Sequence, residues 1–251
     1  MTRMTVNELV YPHERVDELN RDGYRLIQDP KRFCFGMDAV LLSAFAKVRK
    51  GEQVLDLCTG TGILPVLLAA KTEGAYFAGV EIQPESADMA RRSILLNGLE
   101  DRVTIRQGDV RCIENDFPRT SFDVVTVNPP YMNTGGGVTN AYTPKTIARH
   151  EVLCALPDVA DAAVKMLKTK GRLYLVHRPH RIVDILSILR ARALEPKTLR
   201  FVQPYTGAKP SMVLVEAIRD GRPMADVLPP LIIHTSRGEG YTEEVRRIYE
   251  G

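Results

Sequence analysis

From residue 39 to about residue 190, short runs of consecutive apolar residues alternate with longer stretches of helical character. Continuous apolar runs suit strands buried on both faces, and their alternation with helices is the mark of a parallel sheet with crossover connections. The pattern predicts strands over 53–57, 75–81, 103–107, 124–128 and 173–177, with helices over 63–71, 84–97 and 156–167 between them. A further apolar helix is expected at 39–46 and another at 182–193, followed by strands at 198–202 and 212–218. The connection 204–210 is short and Pro-bounded, so these last two strands are expected to pair as an antiparallel hairpin that closes one side of the sheet. The expected fold is therefore α/β, a doubly wound and mostly parallel sheet of seven strands.

Local boundary signals agree with this register. Pro84 suits a first helical turn, where a missing amide proton costs little, and Asn97-Gly98 suits a left-handed stop. Residues 1–32 read as a polar arm with a short hairpin, 33–218 as the α/β domain, and 219–251 as a Pro-rich tail packed on it.

Composition narrows the class. With 44% apolar and 26% charged residues among 251, the chain is globular rather than disordered. No apolar run approaches the ~18 residues of a membrane span, and residues 1–15 carry charge where a signal peptide would be apolar, so a cytoplasmic protein is expected. Cys34, Cys58, Cys112 and Cys154 are scattered without a C-x-x-C pair, so they are expected to be small, mostly buried hydrophobes rather than a metal or disulfide framework. The net charge of +3 hides an asymmetry. Residues 1–164 hold 18 Lys/Arg against 22 Asp/Glu, whereas 165–251 hold 16 against 9. A basic surface including Lys168, Lys170, Arg172, Arg178, Arg181, Arg190 and Arg192 is expected to attract a polyanion, with a solvated helix face as the alternative.

Four motifs carry chemistry. The strand 53–57 runs through Asp56 into Cys58-Thr59-Gly60-Thr61-Gly62, where glycines let the backbone approach a nucleoside without Cβ interference. Pro65 stands where a dinucleotide fingerprint has its third glycine, which weakens a hydride-transfer reading. Nineteen residues after Gly62, a strand ends in Glu81, whose carboxylate can accept from both ribose hydroxyls; an acid near a helix N-terminus is the alternative. Asp109, after the strand 103–107, can accept from an adenine amino group or be simply an exposed turn acid. The strand 124–128 ends in Asn128-Pro129-Pro130-Tyr131: an amide, two residues of fixed φ and an aromatic face. The Asn128 side-chain oxygen and Pro129 carbonyl can together accept two hydrogens of a substrate amino group, and Tyr131 can stack on a planar ring. His177-x-x-His180 lacks a carboxylate or cysteine at ligand spacing, so no metal is expected.

The order Asp56–Gly62, Glu81, Asp109, Asn128-Pro129-Pro130-Tyr131 resembles the class I S-adenosylmethionine-dependent methyltransferases that modify amino nitrogens, which are Rossmann-like. Phe35-Gly36-Met37-Asp38-Ala39-Val40-Leu41-Leu42, Ala148-Arg149-His150-Glu151, His177-Arg178-Pro179-His180-Arg181 and Glu195-Pro196-Lys197 are similar to segments of the bacterial tRNA adenine-N6 methyltransferases that modify the purine beside the anticodon of a valine tRNA. That resemblance covers about residues 10–250. It implies S-adenosylmethionine as cofactor, tRNA as partner, and neither metal nor membrane. It implies a cofactor set of Asp38, Asp56, Cys58, Gly60, Gly62, Glu81, Ile82, Asp109, Val110 and Asn128, with Asn128, Pro129, Pro130 and Tyr131 at the target base. Residues 132–143, with three consecutive glycines, are expected to be a lid or a plain connection. Guanine-N2 and protein glutamine-N5 methyltransferases, and a non-catalytic RNA-binding module, are the alternatives.

Overall fold

The computed structural model of the protein describes residues 6–19, 23–32, 34–129 and 155–250. Pro130, Tyr131, the segment 132–143, Arg149-His150-Glu151 and Cys154 lie outside the described residues. A short helix α1 (Val6–Leu9) precedes an antiparallel hairpin of β1 (Arg15–Glu18) and β2 (Arg25–Gln28). There follow α2 (Met37–Phe45), β3 (Gln53–Leu57), α3 (Ile63–Lys71), β4 (Tyr76–Glu81), α4 (Pro84–Leu96), β5 (Val103–Gln107) and β6 (Phe122–Val127). The chain continues through α5 (Leu156–Met166), β7 (Leu167–His177), α6 (Ile182–Arg190), β8 (Leu194–Gln203), β9 (Met212–Arg219), β10 (Asp226–Ile232) and α7 (Glu243–Glu250).

The main sheet has the order β10-β8-β9-β7-β6-β3-β4-β5. The chain winds outward from β3 through β4 to β5, then returns to the other side of β3 as β6 and β7. The strand order therefore reverses between β3 and β4 on one side and β6 on the other, and a crevice opens there beyond the carboxyl ends of the strands. Strand β9 is antiparallel to both β7 and β8, so β8 runs parallel to β7, and β10 is parallel to β8. Every strand of this sheet except β9 thus ends on one rim.

This corrects the sequence reading in two respects. The sheet has eight strands rather than seven, and the β8–β9 hairpin does not close it, because β10 pairs with the far side of β8. Pro229 and Pro230 disguise β10 in the sequence. They fall at a register irregularity between Leu228 and Leu231 on an outer strand, where missing amide donors and a bulge are tolerated.

Both faces of the sheet are covered, as the unbroken apolar strands require. Residues alternate along β6: Val124 joins the core beneath α2, α3 and α4, while Val125 and Val127 join the core beneath α5 and α6. The hairpin β1–β2 and the segment before it dock on α4 by apolar packing of Leu9 and Ile27 with Met89 and by polar contacts. Arg92, 8% exposed, donates to both carboxylate oxygens of Glu14 at 2.7 Å and to the Leu9 carbonyl at 2.6 Å. Ser93 and Asn97 accept from the backbone amides of Ile27 and Arg25.

The cysteines depart from expectation: Cys34 and Cys58 are half-buried and Cys112 is exposed. Cys34 and Cys58 lie in connections between elements and Cys112 in a short 3-10 helix, outside the buried strands and α-helices.

Candidate functional site

The turn after β3 is built on positive φ. Cys58 takes φ +58°, and Gly60 and Gly62 take +58° and +87°. A left-handed conformation costs a residue with a Cβ ~1–2 kcal/mol, which glycine avoids at the two later positions. At Gly60 a Cβ would meet nothing within 4 Å, so the space above that glycine is open; at Gly62 it would lie 3.2 Å from the Ala90 Cβ, so α4 packs against the turn. The loop is clipped to the end of β4. The Thr59 amide donates to the Val80 carbonyl, and the Gly60 amide donates to Glu81 Oε2, both at 2.9 Å. Glu81 Oε1 accepts from the Gln83 amide at 2.9 Å. Its buried carboxylate is thereby oriented at the crevice by two amides, with Ile82 half-buried beside it.

Asp56, one residue before the end of β3, is 1% exposed. Thr126 of β6 donates to its Oδ1 at 2.7 Å, whereas Oδ2 and the Thr59 hydroxyl are buried and make no hydrogen bond of good geometry among the described residues. Burial pushes this carboxyl up to about 7; the neighbouring Thr59 and Thr126 hydroxyls pull it down, and the Glu81 charge adds to the rise. An Asp in an unfolded chain titrates near 3.8. Folding therefore takes up a proton between these values: the stabilisation is complete below about 3.8 and is lost as pH rises through about 7. Asp56→Asn, which does not titrate, is expected to gain in melting temperature relative to the parent as pH rises across that window. Thermal scans of the two proteins check this, and a difference independent of pH contradicts it.

Strand β6 delivers Asn128 and Pro129 to the same rim, beside the end of β3. Asn128 is half-buried, and its side-chain amide makes no hydrogen bond to any described residue; Pro129 is buried. On the adjoining strand, His177 ends β7, and its Nδ1 accepts from the Arg178 amide at 2.8 Å. Burial, with Arg181 and other nearby cations, pushes its imidazole down to about 4, so it is neutral at physiological pH. Among the described residues no group of three or more His, Cys, Asp or Glu is arranged to hold a metal.

Asp109 caps the 3-10 turn Val110–Asn115, accepting from the Arg111 amide at 2.9 Å and pairing with its guanidinium. The Arg111 hydrogen bonds hold the Asp109 carboxyl below the usual carboxylate range. Val110 is buried beneath the turn. The sequence reading named Asp109 but missed Arg111, although its i,i+2 spacing from an acid in a turn was visible. Asp38 lies in the first turn of α2 and accepts from the Ala39 amide at 2.9 Å. Helix α7 packs on α2, and Tyr249 senses the Asp38 charge: burial, then Tyr241, then Asp38, push its hydroxyl up to about 12.

The basic surface expected from the sequence divides in space. Strand β7 sets Lys168, level with the start of β6, and Arg178, beyond its end, roughly 20 Å apart on opposite rims, since five residues of β7 from Leu167 to Arg172 pass only two of β6. Lys168 pairs with Asp123, Arg172 is buried against Glu52, Arg190 pairs with Glu195, and Arg192 pairs with Asp161. Of the seven residues, Arg178 and Arg181 stand on the rim that carries Asn128. Proximity in sequence mistook a strand's length for a patch.

Comparison with known proteins adds a family. A sequence model described as the methyltransferase small domain matches residues 36–191. A Porphyromonas gingivalis protein named tRNA1(Val) (adenine(37)-N6)-methyltransferase is 29% identical over 222 residues, covering 84% of this chain and 85% of that one. Among solved structures, a predicted O-methyltransferase of Agrobacterium tumefaciens superposes with a TM-score of 0.69 at 24% identity, covering 85% of this chain and 95% of that one. TYW2 of M. jannaschii, in complex with AdoMet, superposes with a TM-score of 0.57 at 16% identity, covering 83% and 86%. These last two bear on the fold alone.

Proposed function

The chain belongs to the methyltransferase small domain family, and from that premise we propose that it transfers a methyl group from S-adenosylmethionine to N6 of an adenine in tRNA, the purine beside the anticodon of a valine tRNA. The observation that carries this reading is the half-buried Asn128 amide at the strand-order reversal, with no hydrogen-bond partner among the described residues. The names of relatives such as the P. gingivalis protein support the choice of acceptor. A tRNA substrate in turn supports a cytoplasmic location.

The residues present fit the cofactor. Open space over Gly60 adjoins an oriented Glu81 carboxylate, and the buried Asp56 Oδ2 has no hydrogen bond of good geometry among the described residues. In this reading Glu81 accepts from the ribose hydroxyls, Asp109 and Val110 hold the adenine, and Asp38 lies at the amino-acid end. Cys58, Gly60 and Gly62 shape the floor, and Ile82 flanks the ribose. When bound, S-adenosylmethionine supplies a sulfonium methyl, an electrophile that needs no further activation.

The chain's own task is then to present the nucleophile. The adenine amino lone pair is delocalised into the ring, so the nitrogen is a weak nucleophile until its hydrogens are held out of plane. Asn128 Oδ1 and the Pro129 carbonyl accept those hydrogens, while Pro129 and Pro130 fix φ and keep the two acceptors rigid. Tyr131 offers a stacking face to a base turned out of its helix. Asn128 has no basicity at neutral pH, so the proton released after transfer leaves to water.

The test is transfer of labelled methyl groups from S-adenosylmethionine to unfractionated tRNA, protein and DNA, with nucleoside analysis of labelled RNA. Label is expected in tRNA as N6-methyladenosine. Label confined to protein overturns the assignment.

A further inference from the structure

The Asp109 carboxylate that an adenine amino group has to meet is already engaged by its neighbour in the chain. Oδ1 accepts from the Arg111 backbone amide at 2.9 Å and from Nε at 3.0 Å, and Oδ2 accepts from Nε at 3.0 Å and from Nη2. A carboxylate offers about four lone-pair sites, and these contacts take them up. The Arg111 guanidinium and the adenine amino group are therefore rivals for Oδ2.

Several features make this pair displaceable. Capping of the 3-10 turn needs only the Arg111 backbone amide on Oδ1, which is independent of where the side chain lies. The Arg111 side chain is 47% exposed and that of Asp109 25%, a setting in which water leaves an ion pair little net strength. A second anion stands near. Helix α5 packs on the 3-10 turn, and the charge of Asp158, in the first turn of α5, acts on Arg111. Glu114 of the same 3-10 turn is occupied by Arg119 and Lys165, so Asp158 and solvent are where the guanidinium goes.

We propose that Arg111 sets cofactor affinity by competing with the adenine amino group for Asp109: an adenine nucleoside binds by moving the guanidinium off Oδ2 toward Asp158. This rests on the placement of adenine at Asp109 given above and deepens it. Arg111 acts through Asp109, as a positioning residue with no part in methyl transfer. The demethylated cofactor carries the same adenine, so the same competition weakens the hold on the product.

The experiment measures by calorimetry, on the full chain, the affinities of S-adenosylhomocysteine and of its inosine counterpart, in which an oxygen replaces the amino group. Neither ligand is turned over, so the readout is separate from activity. The proteins compared are the parent, Arg111→Ala, Arg111→Lys and Asp109→Ala. Arg111→Ala, which keeps the backbone cap, is expected to bind the adenosine ligand about threefold more tightly than the parent and the inosine ligand no more tightly. Its preference for the amino group therefore widens by about the same factor. Arg111→Lys, a point charge without the planar fork, is expected to fall between the two. Added salt screens the Arg111–Asp109 pair and is expected to narrow the gap between parent and Arg111→Ala. Asp109→Ala is expected to lose most of the preference for the amino group. An affinity of Arg111→Ala for the adenosine ligand equal to or below the parent's, or a gain shared equally by the inosine ligand, overturns the competition while leaving Asp109 at the adenine. A preference unchanged in Asp109→Ala shows instead that the placement beneath the proposal is wrong, and the proposal falls with it.

Discussion

Asn128→Ala is expected to lower kcat by roughly 10²–10³-fold while S-adenosylmethionine binds within about twofold of the parent affinity. The amide stands at the rim without a hydrogen bond to any described residue, so its removal breaks no described hydrogen bond of the fold. What is lost is an acceptor aimed at the substrate's amino group, and acceptors of that kind act mostly in the transition state. A single-turnover assay with saturating tRNA isolates the chemical step, and calorimetry gives cofactor affinity. Loss of affinity with an unchanged maximal rate would place Asn128 on the cofactor instead of on the target base.

Glu81→Ala is expected to act on the other side of the crevice, weakening S-adenosylmethionine binding by about 10²-fold. Two causes add. The ribose hydroxyls lose a charged acceptor, worth ~1.5–3 kcal/mol for a hydrogen bond to an ionised group. The Gly60 and Gln83 amides also lose the carboxylate that joins the glycine turn to the end of β4. Glu81→Gln keeps one acceptor oxygen and is expected to fall between the two. Since a buried amide left unpaired costs ~1–3 kcal/mol, the Ala variant is also expected to melt lower without ligand. Calorimetric affinity equal to the parent would remove Glu81 from the cofactor site.

The central winding was legible because apolar runs such as 54–57 and 124–127 are buried on both faces and have no polar residue to blur them, save Asp56 and Thr126. Those two exceptions face one another and share a hydrogen bond. Asp56 was singled out by its place before the glycines. Thr126 was not, since a threonine within a strand carries no signal by itself. Strand β10 escaped because its two prolines read as a breaker, and only an outer position in the sheet makes them tolerable. The acidic residues of the crevice were visible as strand-end carboxylates, and Arg111, two residues from Asp109, was open to view but overlooked. Tyr249 close to Asp38 across more than two hundred residues of chain is a product of tertiary packing. Periodicity places elements; it does not say which ends of distant elements meet. For the same reason the basic residues of β7 and α6 looked like one surface.

The most direct test of the central claim is a crystal structure of the protein with S-adenosylmethionine bound. The account predicts ribose hydroxyls on the Glu81 carboxylate and the sulfonium methyl turned toward Asn128 and Pro129, leaving room between for a planar base. A methyl group directed away from Asn128, or a ribose bound elsewhere than at Glu81, would contradict it.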